Sequence, residues 1–349
     1  MNLIDKNIEE ITELVTPSSI IKKLDTKTME NINIYRQDIV NVLNNRDNRL
    51  VVIIGPCSIH DVSVALEYAN FIKENKEKYK NLILVMRTYL AKPRTTIGWK
   101  GYLYDPYLNE TNDLNLGIIK SRFILEEIAK KGVACSMEHL DNFTPQYFDD
   151  LLSWSAIGAR SVESQIHREL SSGVSCPVGM KNTTSSDVTI AAQAIISASK
   201  PHVFLGCNKD GKISKVKTKG NKNCHIILRG GNKGPNYSEE DVAETENILR
   251  NLNLNEKIMI DCSHANSNKD YKQQINVVNS VAEQITNGNK SIFGVMIESN
   301  IKEGKQEISD NMTYGVSITD SCVDLNGTIE MLDILSLCVS KKRKFEIIS

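Results

Sequence analysis

The sequence predicts an α/β fold, a (β/α)8 TIM barrel with an N-terminal extension and an inserted β-hairpin. Three observations carry that prediction. Eight short, continuously apolar runs alternate with helical patterns along the chain. The runs do not alternate apolar with polar residues, which marks parallel strands covered on both faces. Each run ends in a charged, thiol or imidazole residue, and those ends gather in one place only if the sheet closes. An open doubly wound sheet is the alternative; the strand count and the converging ends favour the barrel.

The chain has 349 residues, a formal net charge of −1 and 40% hydrophobic residues. A barrel of this length can be a single unit with a large core. Near-neutral charge argues against nucleic acid or an anionic membrane as a partner. No apolar run is long enough to span a bilayer, and the start MNLIDKNIEEITELV lacks a basic-then-apolar signal pattern. The eight cysteines are scattered without a CxxC pair, as expected of reduced thiols in a cytoplasmic protein.

Residues 1–46 read as an extension with short helices, one over 27–43; the barrel occupies 47–349. The first strand is 50–54, followed by Gly55-Pro56-Cys57-Ser58 and a helix from about Asp61 with Val64, Tyr68, Phe71 and Ile72 on one face. The second strand, 82–86, runs into RTYLAKPRTTIGWKG (87–101), a loop with Arg87, Lys92, Arg94 and Lys100 in which Pro93 blocks a helix. A helix holding Leu116, Ile119 and Phe123 then closes at Gly132. Further strands are 133–137, 156–159 and 177–180, with helices beginning near Pro145 and Val188. Asp210-Gly211 between 203–206 and 213–216 signals the β-hairpin, inserted at about 202–219. The repeat resumes with strands 225–228, 257–261 and 291–297. The intervening helices begin with Ser238-x-x-Asp241, which resembles a capping box, and carry Ile275, Val278, Ala282 and Ile285. A last helix carries Leu332, Leu335 and Val339.

The strand ends sort by charge. Arg87, Lys92, Arg160, Lys181 and Arg229 follow the second, fourth, fifth and sixth barrel strands. Five converging cations repel one another unless an anion neutralises them, so a ligand with phosphate and carboxylate groups is implied. Glu138 ends the third strand. Cys57, His264 and Glu298 follow the first, seventh and eighth strands, which are neighbours in a closed barrel, and Asp320 is a possible fourth member. Thiolate, imidazole and carboxylate together suit Mn2+, Fe2+, Co2+ or Zn2+ better than Mg2+.

The motifs GPCSIHD (55–61), KPRTTIGWKG (92–101), GARSVESQIHRE (158–169), GMKN (179–182), HIILRGG (225–231), DCSHANS (261–267), MIESN (296–300) and YGVSITD (314–320) resemble the metal-dependent class I 3-deoxy-D-arabino-heptulosonate 7-phosphate (DAHP) synthases. The resemblance runs from about residue 5 to the end. It implies condensation of phosphoenolpyruvate with erythrose 4-phosphate, one divalent metal per barrel and a homodimer or homotetramer. It assigns Cys57, His264, Glu298 and Asp320 to the metal and Arg87, Lys92, Arg160, Lys181 and Arg229 to phosphoenolpyruvate. Arg94 and Thr95 fall to erythrose 4-phosphate, and Glu138 lies near the reacting carbon. Lys92, Glu138, His264 and metal-bound water are left as candidates for moving protons.

The resemblance also implies an aromatic amino acid inhibitor, bound at Pro145, Gln146, Leu170, Val174, Ser175 and Gly206. Gly206 stands where the phenylalanine-sensitive form has Ser. FLGCNKDGK and DCSHANSNKDY look closer to the tyrosine-sensitive form. Two other readings compete: a related keto-sugar-acid synthase using arabinose 5-phosphate, and a non-catalytic effector-binding barrel.

Overall fold

The computed structural model describes residues 3–348, with side chains described through Lys341. Its strands are β1 (Leu50–Gly55), β2 (Leu82–Arg87), β3 (Ala134–Glu138), β4 (Leu152–Ile157), β5 (Val178–Lys181), β6 (Val203–Cys207), β7 (Ile213–Lys217), β8 (Cys224–Leu228), β9 (Ile258–Asp261) and β10 (Ile292–Glu298). Eight of them close into a parallel barrel in the order β1-β10-β9-β8-β5-β4-β3-β2, while β6 and β7 pair antiparallel as a separate hairpin. β1 pairs with β10 from Val51↔Gly294 to Gly55↔Glu298, and that seam brings the first and last strand ends side by side.

Every residue of the eight barrel strands is buried, because side chains on both faces of the sheet have apolar neighbours. Val52, Ile54, Leu84 and Val295 point outward into the layer beneath the helices. Val51, Ile53, Val85, Trp154, Ile227 and Phe293 fill the interior, which Ile39, Val42 and Leu43 of the helix Thr26–Leu43 close from below. Within that interior Trp154 Nε1 donates to His225 Nε2 at 3.2 Å, and burial lowers the His225 imidazole to about 3, so it stays a neutral acceptor.

Helix starts follow local chemistry. Asp61 caps Val62–Asn75 by accepting from the Ser63 and Val64 amides. Ser238 and Asp241 form the reciprocal capping box of Glu239–Asn251. Gly132, at φ +75°, ends the turn after Leu114–Lys130. That helix is docked by buried Arg122, which binds Asp150 through two nitrogens at 3.0 and 2.8 Å and Glu126 at 2.8 Å. The network fixes position more than it adds net stability, since both partners leave water.

Three expectations need correction. β4 begins at Leu152, not at 156; Ser153 and Ser155 break the apolar run in sequence yet are fully buried, because a small hydroxyl fits inside a sheet. Ile119 and Phe123 do not pack inward: they are exposed, and Ile118, Ile124, Leu125 and Ile128 make the buried face instead. Apolar residues lie on both sides of this helix, so periodicity alone could not choose. The helix expected from Pro145 is one turn, Pro145–Phe148, continued by a 3-10 turn Asp149–Leu151. Among the described residues no disulfide joins any cysteines, and no helix is long and apolar enough to cross a membrane.

Candidate active site

The C-terminal strand ends surround a cavity of about 300 Å³. Lys92, Arg94, Thr95, Glu138, Arg160, Lys181, Arg229, His264, Glu298 and Asp320 all line it. Thus nearly all the expected catalytic and substrate residues, together with three of the expected metal ligands and drawn from eight separate segments, meet in one place.

On one side the Cys57 sulfur and carboxylate oxygens of Glu298 and Asp320 lie within 4.8 Å of one another. Cys57 and Glu298 are buried, and Asp320 is more open. His264 stands at the edge of this group, with Nε2 3.9 Å from Glu298 Oε1. Its Nδ1 is held by Asp261 at 2.9 Å, which aims Nε2 at the cluster. The His264 backbone adopts φ +56°, the left-handed region, which is uncommon for a residue other than glycine. Gln274 clamps the Glu298 backbone, donating to its carbonyl and accepting from its amide, both at 2.9 Å.

The electrostatics fit a cation at this cluster. Burial, then Glu298, push the Cys57 thiol up to about 12, against the pull of Lys92. Partial desolvation works against the Asp320 carboxylate, but Lys92 and His264 outweigh it and hold it well below the usual carboxylate range. Lys92 Nζ lies 2.7 Å from Cys57 Sγ and 3.5 Å from Asp320 Oδ2. Burial disfavours its charge, yet Cys57, Glu298 and Asp320 raise it above its ordinary value. A thiol and two carboxylates so close need positive charge among them, and soft plus hard donors suit a borderline divalent metal.

The five cations expected at the strand ends differ in their surroundings. Three have carboxylate partners in the protein: Arg87 with Glu298 at 3.1 Å, Lys92 with Asp320, and Lys181 with Asp261 at 2.8 Å. Arg160 and Arg229 have none among the described residues; Arg160 Nε instead donates to Thr95 at 3.0 Å. Burial and then Arg160 act on Arg229, with Asp261 opposing, and the net effect lowers it from the usual guanidinium value. Arg87 does not reach the cavity surface. It is buried beneath it, with its guanidinium on Glu298, the Pro56 carbonyl and the face of Tyr89.

Two glycines allow this arrangement. A Cβ on Gly158 would lie 2.0 Å from Glu138 Oε1, so any larger residue there would displace that carboxylate from its present position. Gly101, at φ +113°, would press a Cβ onto the Leu90 carbonyl at 2.5 Å. Its close approach lets the basic loop fold back, with the Lys92 amide donating to the Lys100 carbonyl at 2.8 Å. Pro93–Ile97 thereby form one wall of the cavity.

Sequence reading passed over Asp261, Gln274, Lys269 and Tyr271. Asp261 was visible as a strand end, but its partners on β5 and in its own loop were not. Lys269 and Tyr271 end the run DCSHANSNKDY, read in the sequence only for its likeness to the tyrosine-sensitive form, and they line the catalytic cavity.

A second cavity, of about 460 Å³, lies between the hairpin and the segment after β3. Pro145, Gln146, Leu170 and Val174 line it together with Phe204 and Val216. Ser175 and Gly206 do not line it. Ser175 is turned onto Asp149, with its amide 3.1 Å from Asp149 Oδ1. A Cβ on Gly206 would sit 2.8 Å from the Val216 methyl, so the glycine governs the wall from behind.

A family model described as the DAHP synthetase I family matches residues 22–332. The chain is similar to the Phe-sensitive phospho-2-dehydro-3-deoxyheptonate aldolase of Escherichia coli K12, at 46% identity over 344 residues, 97% of this chain and 98% of that protein. It is also similar to the Tyr-sensitive enzyme of the same organism, at 48% over 301 residues, 85% of this chain and 84% of that protein. The solved structure of phospho-2-dehydro-3-deoxyheptonate aldolase from Francisella tularensis SCHU S4 matches with a TM-score of 0.95 and 45% identity, covering 96% of this chain and 99% of that one.

Proposed function

This chain belongs to the DAHP synthetase I family, and from that membership we propose how it works. It is a carbon–carbon bond-forming transferase that condenses phosphoenolpyruvate with erythrose 4-phosphate, giving DAHP and phosphate as the first step of the shikimate route. The observation that carries the reading is the meeting, at one cavity, of two guanidiniums that lack carboxylate partners among the described residues with a compact thiol–carboxylate cluster.

Arg160, Arg229 and Lys181 hold the phosphate and carboxylate of phosphoenolpyruvate, and Arg94 with Thr95 hold the phosphate of the aldose. Arg87 acts from below, keeping Glu298 in place. The enol carbon attacks the aldehyde carbon; the aldehyde π pair moves to its oxygen, which takes a proton and becomes a hydroxyl, and C2 is left electron-poor. Water adds at C2 and loses a proton, then the C–O bond to phosphate breaks with its electron pair leaving on phosphate, and loss of the remaining hydroxyl proton gives the C2 ketone. Lys92, Glu138 and His264 are placed to hold or move protons during these steps. A divalent metal held by Cys57, His264, Glu298 and Asp320 would supply Lewis acidity, and the thiolate favours Mn2+, Fe2+, Co2+ or Zn2+ over Mg2+. Phosphate release from phosphoenolpyruvate should require erythrose 4-phosphate and should not occur with arabinose 5-phosphate. Release with arabinose 5-phosphate would favour the related synthase; no release with either would favour a non-catalytic barrel.

The second cavity supports feedback inhibition, with tyrosine the preferred ligand, phenylalanine next and tryptophan last. Phe204, Val216 and Leu170 offer an apolar wall for a ring. A site that hydrogen-bonds a hydroxyl discriminates against the analogue lacking it. Gly206→Ser would push Val216 toward the cavity and is expected to weaken inhibition by tyrosine about tenfold, within the roughly 1–3 kcal/mol typical of such coupling. Inhibition curves for both proteins with each amino acid test this; stronger inhibition of the unaltered chain by phenylalanine would overturn it. Exposed Ile8, Ile11, Val203, Leu205 and Ile213 support a homo-oligomer in which extension and hairpin meet a second copy. Cytoplasmic residence fits this chemistry.

A further inference from the structure

Tyr89 lies two residues past β2 and is 1% exposed. Its ring is covered by the Arg87 guanidinium, whose central carbon is 4.1 Å from the ring centroid. Arg87 in turn binds Glu298 at 3.1 Å. The Tyr89 hydroxyl is buried and has no hydrogen-bond partner among the described residues. It nonetheless sits in a charged layer, sensing Arg87, Glu138, Asp261 and Lys92. The geometry agrees: the ring lies against Arg87, and Arg87 reaches Glu298, which lines the catalytic cavity. Burial, opposed by Arg87, raises it above its ordinary value, so it is a neutral donor.

An unpaired buried hydroxyl is unfavourable relative to phenylalanine unless something accepts its proton. The surroundings are polar and charged, which suits an ordered water and not an empty apolar void. We propose that Tyr89 is a positioning residue for the condensation, an inference that rests on the function proposed above. Its ring braces Arg87 and so fixes Glu298 at the metal cluster. Its hydroxyl donates to a buried water beneath the phosphoenolpyruvate side of the cavity, linking the floor to the charged groups above. The aldose half, reached through Arg94 and Thr95, does not depend on it.

The test compares Tyr89→Phe, which keeps the ring, with Tyr89→Leu, which removes it. Tyr89→Phe is expected to lower kcat/KM for phosphoenolpyruvate about tenfold, with KM for erythrose 4-phosphate and Mn2+ affinity unchanged. Tyr89→Leu is expected in addition to weaken Mn2+ binding, read by calorimetric titration, about tenfold. If Tyr89→Phe matches the unaltered protein, the hydroxyl is idle and that half of the proposal fails. If Tyr89→Leu binds Mn2+ normally, the ring does not position Glu298 and the other half fails. Should Tyr89→Leu not fold, as judged by circular dichroism, Tyr89→Met replaces it under the same criterion. A lower melting temperature in both variants with unchanged kinetics and Mn2+ binding would mean ordinary core packing and would overturn both halves. Absence of condensation by the unaltered protein would instead overturn the functional reading itself.

Discussion

Replacing Cys57 with alanine is expected to lower turnover by roughly three orders of magnitude and to abolish stable binding of a divalent metal. The sulfur is the one soft donor in the cluster, and it stands between Lys92 at 2.7 Å and Asp320 at 3.3 Å. Without it, two carboxylates and an imidazole remain, a set that discriminates less against Mg2+. The fold should persist, because the lost side chain is small and its neighbours are polar groups of the cavity, not core. Metal content after gel filtration, thermal melting and steady-state turnover form the test. Full metal occupancy with near-normal turnover would remove Cys57 from the site. For the unaltered protein, a strong chelator should stop turnover reversibly, and exposure to oxidants with traces of metal should stop it irreversibly.

Replacing Arg229 with alanine is expected to cost about 2–5 kcal/mol of transition-state stabilisation, a fall of roughly 30- to 5,000-fold in kcat/KM for phosphoenolpyruvate. The guanidinium has no carboxylate ion-pair partner among the described residues; burial and Arg160 disfavour its charge, Asp261 opposes them at longer range, and the net effect lowers it. Removing it relieves that repulsion, and the melting temperature should hold or rise. Lower activity without lower stability distinguishes a binding group from a structural one. Arg160→Ala should have a smaller effect, since Arg160 is more exposed and better screened. Unchanged kcat/KM in Arg229→Ala would assign the cation cluster another purpose.

Much of the site was legible because a closed parallel barrel converts sequence position into spatial position. Once eight buried strands are counted, each residue after a strand must project at the same rim, so Glu138, Arg160, Lys181, Arg229 and Glu298 could be listed without coordinates. The capping box at Ser238 and the Asp210-Gly211 hairpin were legible for a different reason: their hydrogen bonds are local, within a few residues. The start of β4 was not, because Ser153 and Ser155 look polar in sequence and are buried in the sheet. The inward face of the helix Leu114–Lys130 was not either, since Phe123 and Leu125 are equally apolar and only the neighbouring helices decide between them.

By itself, then, the sequence determined the strand count, the closure and the residue types at the catalytic rim. Tertiary structure decided which of those charges are already satisfied. Lys181 is paired with Asp261 from β9, and Arg87 turns beneath the cavity to Glu298 from β10, whereas Arg160 and Arg229 face the cavity without an ion-pair partner among the described residues. It also decided that His264 stands at the edge of the donor cluster, that Gly206 backs onto Val216 instead of lining the second cavity, and that the Tyr89 hydroxyl is enclosed without a hydrogen-bond partner among the described residues. The physical reason is range. Backbone periodicity and capping are set by neighbours along the chain, but ion pairing and desolvation depend on distances of a few ångströms between residues far apart in it.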